Sequence, residues 1–545
     1  MNHVVITHAP EGDYLKDYVA LPGSYGTGAY EEREDIRNIR QVVRENLMTL
    51  DGKNHWTDRI RNRRVLIKPN LVSVYYRMGF KDEAYPESTD PRVLDAIVSF
   101  VKEYTDDIVI IESSGRGMPT RTSFQIAGVD RIVARHGIRM VPLEEEPLER
   151  YWLPKARVMK EMLVPRILKE VVDGEAFYIS VPKMKTNLYT GVTLGFKNAM
   201  GSIPYNLRQR NHNYRINEKL VDILYCYKPD LVVIDGIIGG EGNTPAPVDP
   251  VKTHMIISGD NSVETDWVAT RMMGIDPGEI PLLTDARSRG FGSDSLEITG
   301  EERVVPFRRA DQTLLSDYFK SQFPNVRYFV GHQLPHSPTF ESLEEVTPEA
   351  VKTIEASCIG GCLAAMRQGF DIFYYQGLDN HFQLALVIGG GTLIQGQRYY
   401  FDREARPYTA EEIMDLPMKK LAFGSCARAF DKKVDLYVPG CMPRPTDSFG
   451  AIHKLTGQWN RLYSLKNKQL FKLGAGALKM RASRLKQARQ GLWVEALPDY
   501  ESDTIESLGE LTEEESQMDY IHKPLPPLEG ANKARLIRDI KKHSF

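Results

Sequence analysis

Apolar runs of strand length, each followed by a polar loop and a helix-like stretch, recur through the first 260 residues. This alternation constrains the fold more than any other feature. The chain opens on HVVITHA, passes a Gly/Tyr-rich loop, and enters a charged helix from about Glu31 to Leu50. RVLIKPNLV is a short buried strand ending at Pro69-Asn70. STDPRVLDAIVSFVKEY reads as a helix capped by Thr89 or Asp90, with Pro91 in its first turn. DIVIIESSGRG is a strand opening into a Gly/Ser loop, and IRMVPLEEE, EAFYISVPKMK, LVVIDGIIGG and HMIISGD are further strands. Strands alternating with helices at this spacing predict an α/β fold with a mostly parallel sheet covered on both faces. The chemistry of such sheets sits at strand carboxyl ends.

A second, smaller α/β pattern runs through LALVIGGGT, KLAFGSC and VDLYVPGC. At 545 residues the chain exceeds one ordinary core. The expected division is an α/β domain over 1–300, a connecting segment over 301–345, a second α/β domain over 346–462, and a basic helix with a poorly ordered tail over 463–545. The basic helix candidate, about 472–490, reads as a solvated or partner-docking face, too poor in apolar residues for a membrane anchor. A net charge of −3 gives no ground for nucleic-acid binding. MNHVVITHAP lacks the pattern of a signal peptide, and no run of 18 apolar residues occurs, so no transmembrane segment is expected. Five cysteines are too few and too odd for a disulfide framework, which favours a reducing cytoplasm. A homo-oligomer is compatible with all of this.

Four cysteines gather in one half of the chain: Cys358 and Cys362 in SCIGGC, Cys426 in FGSC, and Cys441 in VPGC. A 4Fe–4S cluster takes four thiolates, each presented from a loop whose amides can bond the sulfides. Two alternatives stand beside it: small buried core thiols, or a zinc site, although structural zinc prefers two tighter pairs. Cys226, in LYCYKPD, reads as a buried structural thiol.

GSCA followed by VDLYVPGCMPRP resembles the cluster-binding segments of the complex I 20-kDa (NuoB-like) family and, more distantly, the small subunit of nickel–iron hydrogenases. SCIGGCLAAM stands where those families carry their upstream cysteine pair, though its spacing matches neither. The resemblance covers roughly 346–460. It implies a flavodoxin-like α/β iron–sulfur domain with Cys426 and Cys441 as ligands, Cys358 and Cys362 in the upstream roles, and one 4Fe–4S cluster.

In the first 300 residues, Lys183, Lys185 and Lys197 fall within fifteen residues of PKMKTN…LGFKN. With Lys68, Asn70 and Asn198 they would form a cationic cleft for a carboxylate or phosphate; otherwise they are surface lysines. Glu112 leaves its strand where a working carboxylate often sits. Asp235 and Asp266 are candidate partners of Lys197, or general bases. His212, in RQRNHNYR, reads as solvated or substrate-facing. In order, IKPNLV, STDPRVLDAIV, IIESSGRG, VPKMKTNLYTGVTLGFKNAMGSIP, VIDGIIGGEGNTPA and DNSVETDWVATRMMGIDP resemble the domain-of-unknown-function 362 family over about 60–295. A weaker likeness joins the first loops to the N-terminal domain of lactate racemase-type proteins, without the histidines that hold their nickel cofactor.

Together these readings give an iron–sulfur oxidoreductase or electron-transfer protein. Its cluster would exchange electrons between a donor or acceptor partner, or a redox cofactor, and a small anionic substrate. Lys185, Lys197, Glu112, Asp235 and Asp266 would be the catalytic candidates, with Lys68, Asn70, Lys183 and Asn198 binding substrate. The alternatives are a non-catalytic iron–sulfur scaffold or assembly protein, and a redox-independent isomerase or ligase with a structural cluster.

Overall fold

The computed structural model describes residues 1–73, 88–115, 118–204, 215–293, 295–358, 361–441, 443, 445–461, 469–490, 510–518 and 521–526. His212 lies outside them.

The first strands are β1 (Asn2–His8), β2 (Arg64–Pro69), β3 (Ile108–Glu112) and β4 (Arg139–Pro142). A hairpin, β5 (Leu148–Trp152) and β6 (Glu161–Pro165), leads to β7 (Ala176–Val181), β8 (Lys183–Asn187) and β9 (Gly191–Thr193). Two long strands, β10 (Leu231–Glu241) and β11 (Asp249–Gly259), and a short β12 (Leu296–Thr299) complete this part. The larger sheet has the order β12-β1-β11-β10-β7-β2-β3-β4, with β8 and β9 branching from β10. From β10 to β4 every neighbour is parallel, whereas β11 is antiparallel to both β1 and β10.

Alternate residues of β2 and β3 belong to different cores. Leu66, Val109 and Ile111 pack on one face and Val65, Ile67, Ile108 and Ile110 on the other. The sheet is therefore buried on both sides, as its continuous apolar runs require. The helix Pro91–Val101 starts where expected: the Asp90 carboxylate accepts the Arg92 N–H, and Pro91 needs no partner for a nitrogen that carries no hydrogen.

The smaller sheet contains β13 (Val326–Val330), β14 (Leu384–Ile388), β15 (Thr392–Ile394), β16 (Gln397–Phe401), β17 (Pro407–Tyr408), β18 (Lys419–Phe423) and β19 (Leu436–Val438). Its order is β15-β16-β13-β14-β18-β19, with β17 beside β16. Strands β13, β14, β18 and β19 are parallel, so both sheets belong to an α/β fold. Beside β13, where the parallel strands end, an antiparallel strand, β16, takes the place that a parallel strand fills in a flavodoxin-like order.

Two expected boundaries are corrected. The segment 301–345 is not all connection, because β13 within it pairs with β14 over five residues at the middle of the smaller sheet. Its run VRYFV is short and set among prolines and histidines, which hides a buried strand. Nor is the tail wholly without order. The expected basic helix is present and spans Gln469–Arg489, and among the described residues beyond it β20 (Lys523–Leu525) pairs antiparallel with β5.

That helix docks on the chain itself. Leu470 and Leu473 pack against Ile372 and Phe449 of the smaller unit, and Leu473 also meets Met118 and Ile126 of the larger. Thr122 Oγ1 donates to the Lys472 carbonyl at 3.1 Å, and Arg484 Nε to the Glu144 carbonyl at 3.0 Å. A Cβ at Gly476 would collide with Thr122 Oγ1, so only glycine permits this approach.

Candidate functional site

The parallel strands β7, β2 and β3 end side by side, and their carboxyl ends carry most of the residues singled out above. Lys68 lies opposite Ser180 in register, and Glu112 is the last residue of β3. Lys68 Nζ donates to Glu112 Oε2 at 3.0 Å and to Asn198 Oδ1 at 3.0 Å. The same carboxylate accepts the N–H groups of Leu71 and Ser113, at 3.0 and 2.8 Å. Asn70 Nδ2 donates to Asn198 Oδ1 at 3.1 Å, and Lys185 Nζ donates to Asn70 Oδ1 at 2.7 Å. Five of the expected residues, Lys68, Asn70, Glu112, Lys185 and Asn198, thus form one network. Gly201 closes over it, because a Cβ there would lie 2.6 Å from Lys68 Nζ.

A second pair sits beside the first. Asp235 faces Lys183 in register between β10 and β8, and Lys183 Nζ donates to Asp235 Oδ2 at 2.8 Å. The Asp90 N–H donates to that oxygen at 2.7 Å. Asp90 in turn accepts from Arg92 Nε and Nη2, at 3.0 and 2.7 Å. Burial pushes the Asp90 carboxyl up from its ordinary range, and the Arg92 guanidinium opposes that rise.

Apart from half-buried Lys197, the residues of the expected cationic cleft are buried, and the alternative of surface lysines does not hold for Lys183 and Lys185. Lys68, Lys183 and Lys185 are at most 1% exposed, and carboxylates from other strands meet two of them directly. A buried ammonium is stable only with such partners. The lysines were visible in the sequence, but the carboxylates that fold onto them come from distant positions.

Asp235 partners Lys183, while Asp266 holds the loop before Lys197 by accepting the Gly195 N–H at 2.5 Å and the Phe196 N–H at 3.1 Å. Burial pushes the Asp266 carboxyl well above the usual range. Its contacts give Asp266 a loop-anchoring place, not one among the lysines. Lys197 opens a short 3₁₀ turn, Lys197–Ser202, and is half-buried directly before Asn198.

The four cysteines of the second unit come from three places. Cys362 begins the helix Cys362–Tyr375, and Cys358 lies just before that helix. Cys426 follows β18 and Cys441 follows β19, two adjacent parallel strands. The Cys362 thiol is pushed well up, first by its hydrogen bond with Cys358 and then by burial, and it senses Cys441 and Cys426 as well. All four sulfurs therefore share one neighbourhood at the carboxyl edge of the smaller sheet. Cys362 is buried, Cys358 is half-buried, and Cys426 and Cys441 are exposed.

Gly424 adopts φ +95°, and a Cβ there would lie 2.9 Å from Cys362 Sγ. Gly424 N–H donates to the Val438 carbonyl and Ser425 N–H to the Gly440 carbonyl, both at 2.9 Å, tying the two strand-end loops together. Among the described residues, no three His, Cys, Asp or Glu side chains close on a single point as one metal ion requires. Cys226 is fully buried, and burial pushes its thiol up, as expected of a structural residue.

The sequence reading missed one feature beside the cysteines. A cavity of about 630 Å3 is lined by Cys358, Glu355, Asp311, Thr313, Asp317 and Leu363, among others. Glu355 is 4% exposed, accepts the Leu314 N–H at 3.1 Å and the Thr313 hydroxyl, and burial raises its carboxyl to about 7. Within PEAVKTIEASC it looked like one polar position of an amphipathic helix.

The two units also touch near these sites. Tyr189 OH donates to Gln368 Oε1 at 3.0 Å, Asn243 Nδ2 to Asp371 Oδ2 at 2.8 Å, and Tyr375 OH to Asp249 at 2.8 Å. Gln368 lies six residues along the helix from Cys362, about 9 Å of helix rise. Tyr189 follows β8, the strand of Lys185.

No solved structure matches the chain. A thylakoid-associated protein of Synechocystis is 29% identical over 140 residues, 25% of this chain and 43% of that protein's length. Residues 65–271, which carry the lysine–carboxylate network, match the family described as a domain of unknown function, DUF362.

Proposed function

We propose that the protein is an iron–sulfur oxidoreductase or electron-transfer protein. In this reading Cys358, Cys362, Cys426 and Cys441 hold one 4Fe–4S cluster. The observation that carries it is the gathering of four thiols from three separated segments around a glycine that keeps Cβ away from Cys362 Sγ. A cube carries its four thiolates on separate irons, so its sulfurs need not meet at one point as around zinc. The likeness of GSCA and VDLYVPGC to the cluster-binding segments of the complex I 20-kDa family supports the same ligand set. When bound, the cluster supplies one-electron transfer.

The chain's own residues do the rest. Exposed Cys426 and Cys441 leave one side of the site open to an electron partner. Glu355 can hold or release a proton at its carboxyl beside the cavity that Cys358 lines. The helix from Cys362 to Gln368 and the Gln368–Tyr189 hydrogen bond link the cysteines to the lysine network. There Lys185 and Lys197 are the candidate contacts for a small anion, which would displace an internal partner to enter. The exposed pair of cysteines also favours a second reading, a protein that carries the cluster for delivery.

Iron and acid-labile sulfide content, with absorption and EPR spectra of anaerobically purified protein, tests the cluster. About four irons per chain are expected, with loss of the signal in Cys426→Ser and Cys441→Ser. A chain that retains all cysteines yet binds no iron sinks the assignment. Reversible reduction by dithionite supports electron transfer, whereas intact transfer of the cluster to an apo-protein supports delivery.

A further inference from the structure

Apart from Met1, the most exposed large apolar side chains among the described residues are Phe471 (70%), Trp459 (69%) and Leu478 (62%). They fall in one region. Phe471 and Leu478 are seven residues apart on the helix Gln469–Arg489, and so share a face. Trp459 precedes Asn460 and Arg461, which bond Gln376 just beyond the helix Cys362–Tyr375. Leu470, next to Phe471, packs on Ile372 in that same helix, one turn before Gln376. Tyr374, 40% exposed, belongs to the same turn.

The charge pattern follows the apolar one. Lys472, Lys479 and Lys486 repeat every seven residues and are exposed, as is Arg489, and the helix contains no acidic residue. Its opposite face, Ala477, Met480 and Arg484, is buried against the rest of the chain. The helix is thus clamped with its Phe/Leu/Lys face outward. Phe471 and Leu478 are each followed by an exposed lysine, Lys472 and Lys479, and Trp459 lies two residues before Arg461, so the exposed apolar side chains stand among cations. They suit an extended anionic surface that admits apolar side chains to shallow depth while the lysines stay at the charged level.

We propose that this ridge, Trp459 with the outward face of Gln469–Arg489, is a peripheral docking site for an anionic lipid membrane. The inference does not rest on the cluster, and it revises the expectation that the basic helix is too poor in apolar residues for a membrane anchor. Among the described residues no helix is long and apolar enough to cross a membrane, so the attachment is reversible and superficial.

The test uses the full-length protein and vesicles of phosphatidylcholine alone or mixed with phosphatidylglycerol. Flotation with the mixed vesicles only, weakened by salt, is expected. Brominated lipid should quench tryptophan emission, and Trp459→Phe should remove that quenching. Phe471→Ser with Leu478→Ser should lower partitioning about a hundredfold, and Lys472→Glu with Lys479→Glu should abolish it, with thermal midpoints unchanged because the packed face is untouched. Wild-type protein that stays in solution with the anionic vesicles at low salt overturns the proposal, as does unaltered binding by these variants. Either result would assign the ridge to a protein partner instead.

Discussion

The Lys68–Glu112 pair lies where a charge is most expensive to strand. Lys68→Met removes the ammonium from a carboxylate that is 2% exposed, and should cost about 3–5 kcal/mol, read as a lower denaturation midpoint. Adding Glu112→Gln should recover part of that loss, because the remaining amide carries no charge. Glu355 gives a pH dependence of definite sign. Burial raises its folded-state carboxyl from 4.5 to about 7. The folded chain therefore keeps a proton that the unfolded chain has already released. The stability this contributes is complete below about pH 4.5 and is lost as pH rises to about 7, by roughly 3 kcal/mol. Glu355→Gln should flatten that fall in chemical denaturation of the metal-free protein across pH 5–8. At this scale the sequence was informative about position. Lys68, Asn70 and Glu112 stand at strand carboxyl ends because a parallel sheet delivers them there. It misjudged pairing: Asp235, expected as a partner of Lys197, meets Lys183 through the register of β10 with β8.

At the scale of elements, two glycines carry close approaches. Gly424→Ala puts a methyl group 2.9 Å from Cys362 Sγ at a backbone conformation only glycine adopts readily. Iron retained after purification should fall by more than half, while far-ultraviolet circular dichroism stays unchanged. Gly476→Val drives a branched side chain into Thr122, so the helix Gln469–Arg489 should detach and be cut by protease at its basic residues while both sheets resist. Long, strongly patterned elements were legible: every strand from β1 to β3 and the capped helix Pro91–Val101 sit where the apolar runs place them. Short ones were not. β13 looked like connection because a five-residue run with four apolar positions, set near prolines, carries little periodic signal. β20 contains Pro524, which disfavours a strand except at an edge, and an edge is where it lies. The clamp formed by Gln469–Arg489 was illegible because its packed side mixes Leu473, Gly476, Ala477 and Met480 with a buried Arg484, which reads as one more charge of a basic helix.

The whole molecule has two α/β units joined by side-chain hydrogen bonds and by the helix that straddles both. The junction bonds of Tyr189, Asn243 and Tyr375 fall on Gln368, Asp371 and Tyr375, from the middle to the end of one helix, Cys362–Tyr375, so that helix ties the position of Cys362 to the first unit. Replacing Gln368 by Leu should leave iron content intact yet slow any electron exchange between the cysteines and a ligand at the lysine network, measured by rapid-mixing absorption. The pairing of β20 with β5 has a consequence for how the chain is made. Its third strand leaves the ribosome some 360 residues after the β5–β6 hairpin. At ordinary rates of translation that interval lasts tens of seconds. Through it the nascent chain presents an unpaired strand edge that any neighbouring nascent chain can use, until its own last residues arrive to cover it.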